Sequence, residues 1–491
     1  MVAAFEPPLD VCVVGYGPTG VTLANLLGLL NLSVVAVDRQ TAPYELPRAV
    51  HFDSEVMRVF QTIGLAEAIL PTTHVSPGML FVDGGKQLLI DWSRPMEVGS
   101  DGWHTSYRFH QPELERILRE GAERYPSVAT RLGFDYLGAR QHADFVEVQL
   151  RDTSSGAIET VNCRYLVGAD GARSKVREDC IGTDWNDLLF DQNWLVVDVM
   201  LKRPMPELGD HSIQYCEPER PATYVRGTGN RRRWEIALLP SEDPDESVRP
   251  DRIWARLERW VTPDDAELER AATYQFRSVI NRRWRDRRIF IAGDAAHLTP
   301  PFLGQGLCAG IRDVANLAWK LAAALKDDTD QRLLDSYADE RIPHVTEYIA
   351  EAVRLGEVIN TCALKSVVGG VPTPSGSIRI QSIMPRLGEG LTAGWSGPAG
   401  RKAPQFTLRS GERSDDVIGY RHGLLARAGL PVASGRDLRV LSDVSFRPWL
   451  DDLGALAVLV RPDRYVLGAA RTPEELNALL ASVQSSTIES K

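Results

Sequence analysis

Leu9-Asp10-Val11-Cys12-Val13-Val14 runs directly into Gly15-Tyr16-Gly17-Pro18-Thr19-Gly20 and then into Val21 to Leu30, and this stretch decides the fold. The first six residues are a short β-branched run of the kind buried in a parallel sheet. The glycine-rich hexapeptide turns the chain, Val21 to Leu30 continues as a helix, and Val34-Val35-Ala36-Val37 forms a second strand ending at Asp38. This is a complete β-α-β unit. In Gly15-x-Gly17-x-x-Gly20 the first glycine permits the tight turn, the second lets backbone approach a pyrophosphate, and the third lets helix and strand pack. Phosphates would sit at the helix N-terminus, where unpaired N–H groups and the dipole favour negative charge. Asp38 suits a ribose diol, since a carboxylate accepts hydrogen bonds from hydroxyls and repels a 2′-phosphate. The competing reading is a purely structural turn, and the motif alone does not separate NAD from FAD.

The chain has 491 residues, too many for one small domain, and two or three are expected because cores stop growing near roughly 250–300 residues. With 43% apolar and 25% charged residues it belongs to neither the fibrous nor the disordered classes. Its net charge of −10 argues against a nucleic-acid or anionic-membrane partner, either of which would require a basic face. Cysteines 12, 163, 180, 216, 308 and 362 form no Cys-x-x-Cys and no His pairing at metal spacing. No disulfide framework and no metal site is expected, and a cytoplasmic location follows from that usage. MVAAFEPPLD lacks the basic and apolar regions of a signal peptide, and Val21 to Val37 is too interrupted to span a membrane.

Helical patterns recur at Ser54–Ile63 and Gln111–Tyr125, with hairpin-like segments between them (Met79–Ile90). From about 185 to 280 strand signals dominate: Trp194–Val199, Ser212–Tyr215, Ala222–Arg226 and Trp234–Leu239, interrupted by a helix at Arg249–Trp260. They are expected to form an antiparallel sheet inserted into the nucleotide-binding fold. Ile289–Ala292 returns to a buried strand, and Gly310–Leu325 and Tyr337–Leu355 read as helices. Residues 366–400, rich in Gly, Pro and Ser, read as a linker before a small α/β domain with a terminal helix at Pro473–Val483 and a frayed SSTIESK tail. The expected organisation is therefore 1–184 and 281–365 as two parts of one dinucleotide-binding domain, with 70–105 contributing to the substrate side. Residues 185–280 form the inserted sheet, 366–400 the linker and 401–491 the last domain.

Two further motifs carry chemistry. Gly168-Ala169-Asp170-Gly171-Ala172-Arg173-Ser174 closes a strand, and taken alone it reads as an Asp-Gly turn in which Asp170 or Ser174 caps the next helix. Gly293-Asp294-Ala295-Ala296-His297-Leu298-Thr299-Pro300-Pro301-Phe302-Leu303-Gly304-Gln305-Gly306-Leu307-Cys308 is stronger. A buried strand ends at Asp294, placed for a sugar hydroxyl; two prolines hold the chain extended; a Gly-x-Gly turn then opens a long helix. Backbone N–H groups near Leu307 and Cys308 would lie at its positive end, a charge-matched site for the anionic ring of a reduced flavin. His297, behind two alanines at a strand end, reads as structural.

In this order and at these separations GYGPTG, GADGARS and GDAAHLTPPFLGQG resemble the three fingerprints of the class A flavoprotein monooxygenases with the para-hydroxybenzoate hydroxylase fold, over at least residues 9–345. YELPRAVHFD, RFHQPELE, CEPERP and LVRPDRYV resemble most the branch of 3-(3-hydroxyphenyl)propionate and phenol hydroxylases. The resemblance implies an α/β fold: a Rossmann-like FAD-binding domain, an inserted antiparallel-sheet substrate domain, and a thioredoxin-like C-terminal domain, here without redox cysteines. It implies FAD as cofactor and NADH or NADPH as cosubstrate. Gly15, Gly17, Pro18, Thr19 and Gly20 would cradle the pyrophosphate, with Asp38 and Arg39 at the adenosine ribose. Arg48 would lie near the pyrophosphate and flavin, and Gln111 at the ribityl side. Asp170 and Gly171 would serve FAD and the NAD(P)H encounter, Gly293 and Asp294 the ribityl chain or pyrophosphate. Pro300, Gly304, Gly306, Leu307 and Cys308 would line the isoalloxazine. The implied activity is hydroxylation of a phenolic ring by O2 through a flavin C4a-hydroperoxide, in a site that excludes water.

Substrate contacts are expected from the inserted sheet. Tyr224 and Arg226, two apart, share a strand face, with Tyr215 and Arg220 on a neighbouring segment. A phenol beside a guanidinium would suit an aromatic carboxylate, against the plainer reading of a packed Tyr and a solvated Arg. The clusters Arg231-Arg232-Arg233 and Arg282-Arg283-Trp284-Arg285 read as turn and surface charge. Alternatives are a hydroxylase of a larger polycyclic aromatic, a flavin-binding interaction module and a plain NAD-dependent dehydrogenase. The Trp-x-Trp-x-Ile-Pro segment of flavin-dependent halogenases is absent. Expected partners are a small aromatic substrate, O2 and NAD(P)H; the oligomeric state is open, a homodimer among the options.

Overall fold

The computed structural model describes residues 7–43, 48–327, 331–364, 367 and 369–484; Tyr44 to Pro47 of YELPRAVHFD and the SSTIESK tail lie outside them. The strand Leu9–Val14 pairs in parallel with Val34–Asp38 on one side and Ile158–Gly168 on the other. Val128–Leu132 and Ile289–Ile291 extend the parallel sheet outward. Val146–Asp152 folds back antiparallel onto Ile158–Gly168, and Phe134–Gln141 pairs antiparallel with Val146–Asp152. Val11, Cys12 and Val13 are fully buried, as a strand covered on both faces requires. The helix Pro18–Leu29 starts with proline in its first turn, where a missing N–H costs nothing. The helix Gly306–Asp327 packs beside it in the same core.

A second sheet of ten strands carries more of the sequence than the expected insertion. Its centre is Trp185–Leu201 between Ala266–Asn281 and Arg231–Ala237, followed by Ala222–Arg226 and Ser212–Cys216. Gly78–Asp83 then adds in parallel to Ser212–Cys216, and Leu88–Ser93 completes a hairpin with it. Residues 78–93 therefore share a sheet with the 185–281 strands. Part of the expected linker is strand as well, because Ile378–Arg379 pairs with Leu88–Ser93 and with Val371–Pro372. The short β-segments needed a sheet edge to pair with, which composition cannot reveal.

The two faces of this sheet differ. Leu195, Val197, Tyr224, Trp234 and Ile236 pack against Ile253 and Leu257 of the helix Pro250–Leu257. Phe81, Trp92, Trp194 and Cys216 face Phe302 and Leu303 and the long helix Gln331–Thr361. A small third sheet, His51–Asp53 with Ser106–Arg108 and His74–Val75, bridges the two large ones. The C-terminal sheet has the order Leu438–Leu441, His422–Ala426, Ala457–Val460, Val466–Ala470, with the helix Pro473–Gln484 against it. All six cysteines are unpaired, and no described helix is long and apolar enough to cross a membrane.

The C-terminal sheet is fastened to the rest by buried charge. Arg461 donates from both Nη atoms to Glu340 at 2.8 Å and from Nη2 to Asp463 at 2.6 Å. Lys320 reaches Glu340 at 2.7 Å, so two cations and two anions balance in a buried site. Arg58 grips Asp415 with two bonds (2.9 and 3.1 Å) and also reaches Asp101 and the carbonyl of Ala403. Removing one partner of a buried pair strands the other charge, at about 3–5 kcal/mol. Arg461→Met is therefore expected to lower the stability measured by urea denaturation by that amount; a change under about 1 kcal/mol would mean the cluster docks nothing.

Candidate functional site

Three turns meet at the C-terminal edge of the parallel sheet. Gly15, at φ +101°, lies so close to the next turn that a Cβ would stand 2.3 Å from the carbonyl oxygen of Ala169. A Cβ on Gly20 would stand 1.9 Å from the oxygen of Gly15. The third turn touches the first through Thr19, whose Oγ1 would be 2.8 Å from a Cβ on Gly293. Gly17 differs: nothing lies within 4 Å of where its Cβ would be, so that position opens onto a groove. The helix beginning there has no side-chain cap and no acid in its first turn, leaving bare N–H groups that suit a phosphate.

Asp38, at the end of the second strand, accepts from the backbone N–H of Tyr16 (2.7 Å) and Gln40 (2.8 Å), which fixes the carboxylate and leaves lone pairs for hydroxyls. Arg39 beside it is exposed. Asp294 is open to solvent yet ringed by protein atoms, as a group on the wall of a cleft must be. Crowding raises its pKa against the opposing charges of His297 and Arg48, and among the described residues no hydrogen bond or ion pair engages it. An uncommitted carboxylate in such a cleft suits the hydroxyls of a sugar or ribityl chain. The groove therefore fits FAD on its own chemistry: bare amides for the pyrophosphate, carboxylates for hydroxyls.

Other expected residues act on the groove through the backbone. Gln111 Oε1 accepts from the N–H groups of Arg48 (2.9 Å) and Ala49 (2.8 Å), while its Nε2 donates to Glu115, so the side chain holds the Arg48 loop in place. The carboxylate of Asp170 accepts from Ser174 Oγ and from the N–H groups of Lys175 and Val176, which is the capping turn read from the sequence. Gly171 follows it at φ +81° with open space around its Cβ position. His297 is buried, donates to Asp313 at 2.8 Å and packs on Trp284, in keeping with a structural role.

From Pro300 the chain runs extended into the turn Pro301–Leu303 and reaches Gly304 in the left-handed region (φ +64°, ψ 28°). Gly306 then opens a helix with no acid in its first turn, and Leu307 is half-buried there. Cys308 is fully buried, and burial pushes its thiol up, which keeps it protonated and inert.

The four substrate-side candidates lie elsewhere. Tyr224 and Arg226 do share a face, but Tyr224 pairs with Trp234 and packs in the core beneath the helix Pro250–Leu257, away from the Pro301–Gly304 turn. Tyr215 packs on Trp260, Arg220 pairs with Glu242 at 2.8 Å, and Arg226 reaches Asp210 at 3.1 Å. None of them borders the groove. Arg232 and Arg233 are buried instead of lying on the surface, and Arg233 clamps Asp198 at 2.7 and 3.0 Å. Of the other cluster only Arg282 and Arg283 are well exposed; Trp284 is fully buried and the Arg285 side chain is 8% exposed.

A different set borders the turn. His51 Nδ1 lies 3.1 Å from the oxygen of Gly304 and its Nε2 3.0 Å from Ser106 Oγ. A carbonyl can only accept, so Nδ1 carries the proton and Nε2 accepts from Ser106. Burial and the nearby charges of Arg108 and Arg94 bring this imidazole down to about 3, so it is neutral at working pH. Arg108 is 6% exposed, donates to Ser212 at 2.8 Å and has an unpartnered Nε. Burial first, and then Arg94, brings it down to about 10. Arg94 stacks over Trp92 at 4.6 Å and donates to Ser382. Among the described residues neither guanidinium has a carboxylate within ion-pair distance. Phe302, packed edge-on against Phe190 (5.3 Å) and Trp194 (5.6 Å), supplies an apolar wall. His51 and Arg108 sit inside the quoted segments YELPRAVHFD and RFHQPELE, of which the sequence reading singled out only Arg48 and Gln111.

Gly17→Ala is expected to leave the melting temperature of the flavin-free protein unchanged and to abolish retention of bound FAD, read from the visible spectrum after desalting. Gly20→Ala is expected to cost stability first, by at least about 1–3 kcal/mol from overpacking. Asp294→Ala is expected to lower flavin content without unfolding the protein; undiminished flavin would remove it from the groove's functional residues.

The comparisons agree with this geometry. Residues 8–352 match the family described as FAD binding domain. The "Probable NADH-specific resorcinol 4-hydroxylase" of Rhodococcus jostii is 36% identical, covering 98% of this chain and 96% of that protein. A 3-(3-hydroxy-phenyl)propionate/3-hydroxycinnamic acid hydroxylase of Burkholderia cenocepacia is 31% identical over 94% of each. Among solved structures, the flavin-dependent monooxygenase PieE superposes with a TM-score of 0.82 at 20% identity, covering 98% of this chain and 99% of that one. Aklavinone-11 hydroxylase does so at 0.78 and 23%, with the same coverage, and both show the fold. The groove, its bare helix termini and these matches together place the chain in the FAD binding domain family, among the FAD-dependent aromatic hydroxylases.

Proposed function

We propose that the chain hydroxylates a small phenol with NADH and O2, and that the ring binds between the Pro301–Gly304 turn and the sheet face carrying Arg108. The carrying observation is the pair of guanidinium groups, buried Arg108 and half-buried Arg94, with no carboxylate within ion-pair distance among the described residues, beside an apolar aromatic wall. A buried cation without a counter-ion is costly, and a bound anion relieves it. The relatives' names, resorcinol 4-hydroxylase and 3-(3-hydroxy-phenyl)propionate hydroxylase, support a single-ring phenol over a polycyclic substrate, and the first supports NADH.

In this reading Gly15, Gly17, Pro18, Thr19 and Gly20 hold the FAD pyrophosphate, Asp38 the adenosine ribose and Asp294 the ribityl hydroxyls. FAD, when bound, supplies the redox and oxygen chemistry. The protein's own part is electrostatic. The charges that depress His51 act on a phenol in the same place and favour its ionised form, which enriches the ring for attack on an electrophilic oxygen. His51, whose Nε2 already accepts from Ser106 Oγ and whose basicity is low, stays neutral and does not hold the departing proton. Phe302, Trp194 and Trp92 exclude water. Six free thiols suit a reducing cytoplasm.

The test is NADH oxidation followed while single-ring phenols, with and without a carboxylate, are added to the flavin-loaded enzyme and to Arg108→Met. Loss of a charged hydrogen bond worth about 1.5–3 kcal/mol should lower kcat/KM about 10- to 100-fold with flavin content unchanged. An unchanged kcat/KM would remove Arg108 from the substrate site, and oxidation indifferent to every phenol would end the hydroxylase reading for this chain.

A further inference from the structure

Tyr465, at the foot of the last strand of the C-terminal sheet, is 4% exposed, and two buried hydrogen-bond chains join at its hydroxyl. In the first, Tyr465 donates to Glu55 Oε1 at 2.7 Å, and Glu55 Oε2 accepts from Arg312 Nε at 2.8 Å. Arg312 also donates to Gln305 Oε1 at 2.8 Å and pairs with Asp53, which Gln305 Nε2 reaches at 3.2 Å. This chain ends on the residue between Gly304 and Gly306. In the second, the Tyr465 oxygen accepts from His344 Nε2 at 3.1 Å, and His344 Nδ1 accepts from Arg341 Nη1 at 2.8 Å. Arg341 Nε donates to Asp313 Oδ1 at 2.9 Å, and Asp313 Oδ2 accepts from the N–H of Gly293 at 3.0 Å. This chain ends beside Asp294.

The direction of every bond follows from the groups. Carboxylates accept, guanidinium groups donate, and the single phenolic proton must go to Glu55, so the oxygen takes the proton of His344. Burial and the charges of Arg341 and Arg312 keep that imidazole neutral, as the scheme requires. Both chains end on turns, where Gly293 (φ +62°) and Gly304 (φ +64°) leave the regular ladder and side-chain bonds add to the turns' own backbone bonds in fixing the path. Their placement therefore depends in part on side chains, and the two hydrogen-bond chains meet at one hydroxyl of the C-terminal sheet.

We propose that Tyr465 is a positioning residue of the flavin site: the C-terminal sheet, through this hydroxyl, holds the Gly293 and Gly304–Gly306 turns in register with the groove. The Arg461–Glu340 cluster docks the domain, and Tyr465 transmits the docking to the turns. The docked domain then acts on how FAD is held and on how much reduced oxygen is wasted as hydrogen peroxide.

The experiment uses the full-length, flavin-loaded protein carrying Tyr465→Phe, with Val458→Ala, a fully buried residue of the C-terminal core, as a stability-matched control. In Tyr465→Phe, amide exchange across 293–308 should speed up and the FAD dissociation constant should rise about five- to tenfold, the low end of coupling between linked sites. The share of oxidised NADH appearing as peroxide should also rise, and this last readout alone rests on the hydroxylase reading. Val458→Ala should show none of these at an equal loss of melting temperature. Unchanged exchange and flavin affinity in Tyr465→Phe, or equal changes in the control, would overturn the proposal. Should Tyr465→Phe fail to fold, Glu55→Gln, which breaks the first chain only, must speed exchange at 304–308 while sparing 293. An enzyme that hydroxylates no phenol ends the hydroxylase reading, and exchange and flavin affinity still decide the role of Tyr465.

Discussion

Backbone-to-backbone contact at Gly15 and Gly20 is the constraint on which the molecule depends. With any side chain at either position, the first turn could not lie against Ala169 or the helix against its own turn. The convergence of three turns at one sheet edge makes a groove out of separate chain segments. It also leaves two helix N-termini without acids in their first turns, so the site favours anions before any side chain is considered.

Charge is distributed by the same logic at larger scale. The dinucleotide groove carries one uncommitted carboxylate, Asp294; the neighbouring pocket carries uncompensated guanidinium groups and a neutral imidazole. Between the folding units the charges are compensated instead, as in the Arg461–Glu340–Lys320–Asp463 cluster and the Arg58–Asp415 pair. A compensated buried cluster fastens surfaces, whereas an uncompensated one recruits a ligand. The C-terminal sheet, which holds no cysteine, is fastened by these charges and meets the groove's side chains at Tyr465.

Legibility divided along particular residues. Asp170 capping its own turn and the structural setting of His297 were readable from local chemistry, because the partners lie within a few residues or the geometry is that of a strand end. Tyr224 and Arg226 were correctly placed on one face of one strand, since alternation is a property of the strand alone. Which face meets the flavin groove is a property of what packs on each side, and the helix Pro250–Leu257 takes the face that carries them. Arg108 was passed over because its partner Ser212 is 104 residues away and its meaning comes from a missing carboxylate, which no local window contains.

The sequence by itself determined the β-α-β unit and the glycine turns, because these rest on contacts between near neighbours or on backbone conformations that favour glycine, and the class of chemistry came from the family that the three motifs, in their order, resemble. Tertiary structure alone decided which face of the ten-stranded sheet meets the Pro301–Leu303 turn, the recruitment of Val371–Pro372 and Ile378–Arg379 as strands, and the burial of Arg108 and Tyr465. These depend on desolvation and on partners hundreds of residues apart. A side chain's charge becomes significant only when the fold has removed its water and chosen its neighbours.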